Sequence, residues 1–132
     1  MASVKDIKKL EVFSNEVVKI EVTYDFAKDG GAVGALDLYE ALEDCVLVNA
    51  YTKVKTACIS SGAATLIVGV TGDTDGILAS TAVASLTANA IFKKDAAADT
   101  IRIASGSKVL MTIGAFALTA GKVVVVLEVA KF

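Results

Sequence analysis

The residues most readily imagined doing chemistry lie in the turn TGDTDG at residues 71–76, where Asp73 and Asp75 stand two positions apart with a glycine behind them. Alternating carboxylates followed by glycine resemble the opening of a calcium loop. The EF-hand form of that loop ends in a bidentate glutamate at its twelfth position, and the twelfth residue from Asp73 is Ala84. The stretch therefore reads as a solvated turn, and no metal site is expected. Glu43 and Asp44 form another carboxylate pair, at a place where turn or surface residues belong. The chain has no histidine, which removes the usual general base and most zinc arrangements together. It also lacks a G-x-S-x-G elbow, a phosphate-cradling G-x-x-x-x-G-K-S/T and a C-x-x-C. A non-enzymatic protein without a cofactor is the expectation. For sugar binding, Tyr51 beside Lys53 is the single candidate platform, since the other aromatic residues are mostly isolated and in phase with buried faces.

Cys45 and Cys58 lie thirteen positions apart, at opposite ends of what reads as one long strand. Their opposite parity would send them to opposite faces of a straight strand, far beyond the roughly 4.4–6.8 Å between Cα atoms that a disulfide spans. Both read as reduced, packed thiols, as suits a chain folded in a reducing cytoplasm. A bend between them would reopen the question.

These residues must be positioned by strands. In residues 17–34, VVKIEVTYDFAKDGGAVG, the residues Val18, Ile20, Val22 and Tyr24 share one face, while Lys19, Glu21, Thr23 and Asp25 share the other. That alternation predicts a strand with one buried and one wet face. It stops at Lys28-Asp29-Gly30-Gly31, where paired glycines allow a turn. Residues 36–39 alternate briefly, and residues 39–44 read as a short helical turn or a loop. The longest strand spans residues 46–58, with Val46, Val48, Ala50, Thr52, Val54, Thr56 and Cys58 on one face and a basic, aromatic face of Asn49, Tyr51, Lys53 and Lys55 opposite. Residues 64–71 supply another strand. Residues 77–99 read as an irregular crossing segment, with Lys93, Lys94, Asp95 and Asp99 in an exposed loop. The β pattern returns at residues 100–104 and 108–115. Residues 116–118 and 122–129 are predicted to form a hairpin around Thr119-Ala120-Gly121. Residues 123–127, apolar on both faces, require a central strand or a covering subunit.

At the N-terminus, Ser3 and Asp6 have capping-box spacing, and Val4, Ile7, Leu10 and Phe13 recur every third residue. A short helix and an extended arm both fit, docked either on this domain or on another subunit. The division expected is an arm at residues 1–15 and one domain at residues 16–132, a length suited to a single core.

Hydrophobic residues make up 55% of the chain, yet no apolar run approaches the roughly 20 residues that span a bilayer. No membrane partner and no signal peptide are expected. The apolar surplus, rich in alanine and valine, suits a homo-oligomer interface. A net charge of −2 and a pI near 5.1 argue against nucleic acid as a partner.

The segments VTYDFAKDGGAVGALDL (residues 22–38), VNAYTKVKTACISSGAATLIVGV (48–70), ILASTAVASLTANAIF (77–92) and TIGAFALTAGKVVVVLEV (112–129) together resemble small tailed-bacteriophage virion proteins of the capsid decoration or cement type. The resemblance implies an all-β, antiparallel β-sandwich, jelly-roll-like. It further implies a trimer on the outside of an icosahedral head, clamping neighbouring copies of the major capsid protein. On that basis Val4, Ile7, Leu10 and Phe13 of the arm, and Asp25, Lys28, Asp29, Gly30 and Gly31 of the turn, are the candidate contacts with the capsid or a neighbouring protomer. The competing expectation is a head-fibre or tail accessory domain whose loops bind a host glycan or receptor.

Overall fold

The alternation at the first predicted strand is realised as an edge of one sheet, and the apolar run near the end of the sequence as the centre of the same sheet. The computed structural model describes residues 2–10, 18–71, 73–93 and 101–131. Its strands are β1 (Ala2–Leu10), β2 (Val18–Asp25), β3 (Gly34–Ala41), β4 (Cys45–Ser60), β5 (Thr65–Val70), β6 (Asp73–Ala82), β7 (Ile91–Lys93), β8 (Ile101–Ile103), β9 (Lys108–Gly114) and β10 (Leu118–Lys131). One helical turn, α1 (Phe26–Asp29), follows β2, and a 3-10 turn (Val83–Ser85) follows β6. The first sheet has the order β1-β3-β9-β5-β6 and the second β2-β10-β4-β7, with β8 also paired to β4. The result is the all-β sandwich expected, with antiparallel pairing throughout the described strands except between β1 and β3, which run parallel.

The core lies between the sheets. Ile20, Val22 and Tyr24 of β2 and Val123, Val125, Leu127 and Val129 of β10 belong to the same buried cluster as Leu66, Val68 and Val70 of β5 and Val109, Met111 and Ile113 of β9. Burying one such side chain contributes about 1.5–3 kcal/mol, against about 0.2–1 kcal/mol for a cross-strand pair, so the apolar pattern sets the register. Strand β10 is apolar on both faces because it is flanked by β2 and β4: Val124 and Val126, though outside the core cluster, are also buried.

Several expectations are corrected. The hairpin at Thr119-Ala120-Gly121 does not form: these residues lie inside β10, which runs unbroken beside β4, while β9 belongs to the other sheet. Gly121 has φ +143, but it serves close approach and not chain reversal, because a β-carbon there would stand 2.6 Å from Cys58 Sγ. Of the two N-terminal expectations, a short helix or an extended arm, the extended one is realised as β1, which advances five residues from Ser3 to Lys8 while β3 advances two from Asp37 to Tyr39. Val4, Ile7 and Leu10 lie in this strand, and Phe13 lies outside the described residues.

The long strand also changes phase. Glu128 pairs with Asn49 and Val129 with Leu47, so β4 carries one extra residue at Val48. Before this bulge Cys45 and Leu47 face the core; after it Ala50, Thr52, Val54 and Cys58 do. The two cysteines therefore share the core face despite their opposite parity, and Val48 is 37% exposed. Both are free thiols, as expected, separated along β4 by about 40 Å at ~3.3 Å per residue. Residues 39–41 extend β3, and residues 77–93 are more regular than expected, holding most of β6, the 3-10 turn and β7. Lys94, Asp95 and Asp99 of the expected loop lie outside the described residues.

Candidate functional site

The turn that follows β2 is built from side chains that hydrogen-bond its own backbone. Asp25 has extended backbone and caps α1, its carboxylate accepting from the Ala27 N–H at 3.0 Å. The Asp29 carboxylate accepts in return from the Asp25 N–H at 2.9 Å. This reciprocal arrangement satisfies donors that a helix start leaves open. Gly30, at φ +76, closes the turn by donating its N–H to the Phe26 carbonyl at 2.9 Å. The buried Tyr24 hydroxyl donates to the Gly30 carbonyl at 2.6 Å. Burial raises the Tyr24 hydroxyl well above its ordinary pKa, with Cys58, Asp29 and Asp25 adding to the shift, so it remains a donor.

Gly31 then fixes the turn to the start of β10, at the same end of the sheet. Its carbonyl accepts from the Leu118 N–H at 2.8 Å, and a β-carbon on it would collide with the Leu118 carbonyl. Of the turn residues predicted as contacts, Lys28 and Gly30 are exposed, Asp25 and Asp29 are half-buried and hydrogen-bonded to the turn's backbone, and Gly31 is buried. The turn is a preformed knob.

Beside it the structure assembles an apolar tip that sequence reasoning missed. Val33 lies on the loop between Gly31 and Gly34, which meet Leu118 and Ile113, and Phe116 lies on the loop between those same two residues. The Phe116 ring sits over Gly62, just past the end of β4, where a β-carbon would come within 2.8 Å of it. Val33 and Ile59 are each 55% exposed and Phe116 45%. The signals were faint: single large apolar residues in GGAVG and GAFAL, and one residue at the end of a long strand.

Other predicted constellations do not converge. Asp44 accepts from Arg102 Nη2 at 2.7 Å and from the Ser105 N–H at 2.8 Å, and these bonds hold its carboxyl below the usual range. Neighbouring Glu43 instead has a buried carboxylate oxygen, Oε1, without a hydrogen-bond partner. Burial, with smaller contributions from Cys45 and Glu43, pushes Tyr39 up to about 12. Asp73 opens β6, and among the described residues no cluster of metal-binding side chains forms. No described helix is long and apolar enough to cross a membrane.

The second sheet's outer face, by contrast, carries a groove of about 540 Å³ lined by Asn49, Tyr51, Lys53, Ile91 and Lys93. Tyr51 pairs across the sheet with Lys93, and Lys53 with Ile91, so all four side chains lie on one face. It is the basic, aromatic face expected of the long strand.

No protein-family model matches the chain, and no curated protein matches it. Its fold is shared with solved phage capsid structures. A chain of the capsid of Ralstonia phage GP4 is 14% identical, with a TM-score of 0.60 over 94% of this chain and 98% of that one. A chain of the cyanophage Pam1 capsid asymmetric unit is 15% identical, with a TM-score of 0.65 over 91% and 88%. One from the acid-stable capsid of Helicobacter pylori bacteriophage KHP30 is 11% identical, with a TM-score of 0.65 over 89% of each chain.

Proposed function

We propose that this protein is a non-enzymatic structural component of a bacteriophage virion, a decoration or cement protein that binds the outside of the head and stabilises contacts between major capsid subunits. The observation that carries this reading is that the fold aligns along at least 89% of this chain and at least 88% of a chain in each of three phage capsid structures. The sandwich also suits the role physically. A cement protein needs a rigid body and a contact surface that does not have to be ordered on binding, and the locked turn at residues 25–31 meets that need.

In this reading the contact surface is the tip that joins Lys28 and Gly30 to Val33, Ile59 and Phe116, with Asp25, Asp29 and Gly31 holding its shape. Val4, Ile7, Leu10 and Phe13 form the second contact, with the capsid or a neighbouring protomer in a homotrimer. Exposed apolar residues grouped at one end fit the centre of a protein interface, where large apolar side chains dominate the binding energy.

The test is co-sedimentation with purified expanded heads that lack the protein, together with light scattering for the oligomeric state. Saturable binding that Phe116→Asp reduces at least about tenfold is expected, as for loss of an interface anchor. Failure of the folded protein to bind heads would overturn the reading. Undiminished binding after deletion of residues 1–13 would remove the N-terminal contact from it.

A further inference from the structure

The groove on the outer face of the second sheet lies on a different surface from the tip. Its polar side chains are notable for what they do not touch. Among the described residues, Lys53, Lys55 and Lys93 form no ion pair, and the amides of Asn49 and Asn89 and the hydroxyl of Tyr51 take no hydrogen-bond partner. The chain carries a net charge of −2, so three unpaired ammonium groups around one groove run against its overall balance. The groove continues into a second hollow of about 230 Å³ lined by Lys53, Lys55, Asn89 and Ile91. Along β4, Asn49 to Lys55 spans about 15–20 Å at ~3.3 Å per residue.

The floor is held by backbone. Val54 donates its N–H to the Ala90 carbonyl at 2.9 Å, and Asn89 donates its own to the Val54 carbonyl at 2.8 Å, with Asn89 in the left-handed region at φ 70. The site is therefore an elongated hollow with a half-buried tyrosine and an isoleucine 65% exposed on its surface, free amide and hydroxyl groups, positive charge at its Lys53, Lys55 and Lys93 end, and the Glu128 carboxylate beside Asn49 at the other.

We propose that this groove binds an acidic polysaccharide. The ammonium groups of Lys53, Lys55 and Lys93 would meet sugar carboxylates, the amides of Asn49 and Asn89 and the Tyr51 hydroxyl would exchange hydrogen bonds with sugar hydroxyls, and Tyr51 with Ile91 would cover the apolar C–H face of a ring. An acidic peptide would also satisfy the lysines and amides, but the Tyr51 ring and exposed Ile91 set beside these polar groups match the paired hydroxyl and C–H faces of a sugar ring. The volume falls within the range of small-ligand sites.

Titration of the isotope-labelled full chain with hyaluronan oligosaccharides, followed by NMR, tests the proposal. Dextran serves as the neutral control and polyglutamate as the acidic-peptide control. Saturable shifts at residues 49–55 and 89–93 are expected, weakened by added salt. Tyr51→Ala and the double variant Lys53→Gln/Lys93→Gln should each weaken binding about tenfold or more. Tyr51→Phe keeps the ring and separates loss of the hydroxyl from loss of fold, which the amide spectrum reports. Absence of saturable binding, equal binding of polyglutamate, or indifference to both groove variants would overturn the proposal.

Discussion

Gly121 meets Cys58 across the β4–β10 pair so closely that a β-carbon would stand 2.6 Å from the sulfur and 3.1 Å from the Cys58 Cα. The sulfur could swing away, but the Cα belongs to the backbone. Gly121 also has φ +143, a conformation that L side chains resist. Gly121→Ala is therefore expected to destabilise the fold by about 2–4 kcal/mol through combined overpacking and backbone strain. Urea denaturation measures it, and Cys58→Ala in the same background should recover only the part due to the sulfur.

The Cys58 thiol itself gives a pH signature. Burial pushes its pKa from 9.0 to about 11, so the fold favours the protonated form. The corresponding stability is fully present below pH 9 and is lost as the pH rises toward 11, on the order of 2 kcal/mol for a shift of this size. Cys58→Ala should flatten the alkaline limb of the stability profile. In thiol titration at pH 8, the folded protein should react slowly at both buried cysteines, and unfolding in urea should release them.

A buried charge sits on β3. Asp37 is 3% exposed, with Oδ2 3.2 Å from Lys108 Nζ and Oδ1 unpartnered. Lys108→Met would strand the carboxylate and should cost about 2–4 kcal/mol, tempered because the lysine side chain is 37% exposed. Adding Asp37→Leu should recover much of that loss, a coupling that a double-mutant cycle in urea would read.

At acid pH the sensitive group is Asp44. Its carboxyl is held low first by the Ser105 N–H and then by Arg102, so its contribution is present at neutral pH and is lost as the pH falls through the depressed pKa. Urea midpoints of the native chain and of Asp44→Asn should differ at pH 7 and converge as the solution is acidified below the usual carboxylate range.

What could be read in the sequence was the local apolar pattern. The alternation of Ile20, Val22 and Tyr24 and the two-faced run at residues 123–127 led directly to an edge and a central strand. Interruptions of that pattern could not be read. A bulge at Val48 reverses the parity of residues 50–54, and further register shifts follow beyond Val54, none marked by a glycine or proline in β4. Thr119-Ala120-Gly121 has turn-like composition, yet the glycine answers to a cysteine sixty-odd residues away, a contact that local sequence does not encode. At the N-terminus the apolar residues at a spacing of three fit a short helix as well as an extended arm, and long-range pairing with β3 decides for a strand. The tip was hidden for the same reason, because loops from distant positions compose it, and so was the β7 wall of the groove. Only the Tyr51–Lys53 face had been visible in advance.

The central place of β10 has a consequence for synthesis. Strands β2 and β4 are made early but do not pair with each other; each pairs with β10, the last described strand in chain order. Until residues 118–131 leave the ribosome the second sheet has a gap in its middle, with the β2 and β4 edges that β10 will cover left unsatisfied. Closure of the second sheet thus waits for β10, and the interval before β10 inserts is when chains are most exposed to mispairing with one another.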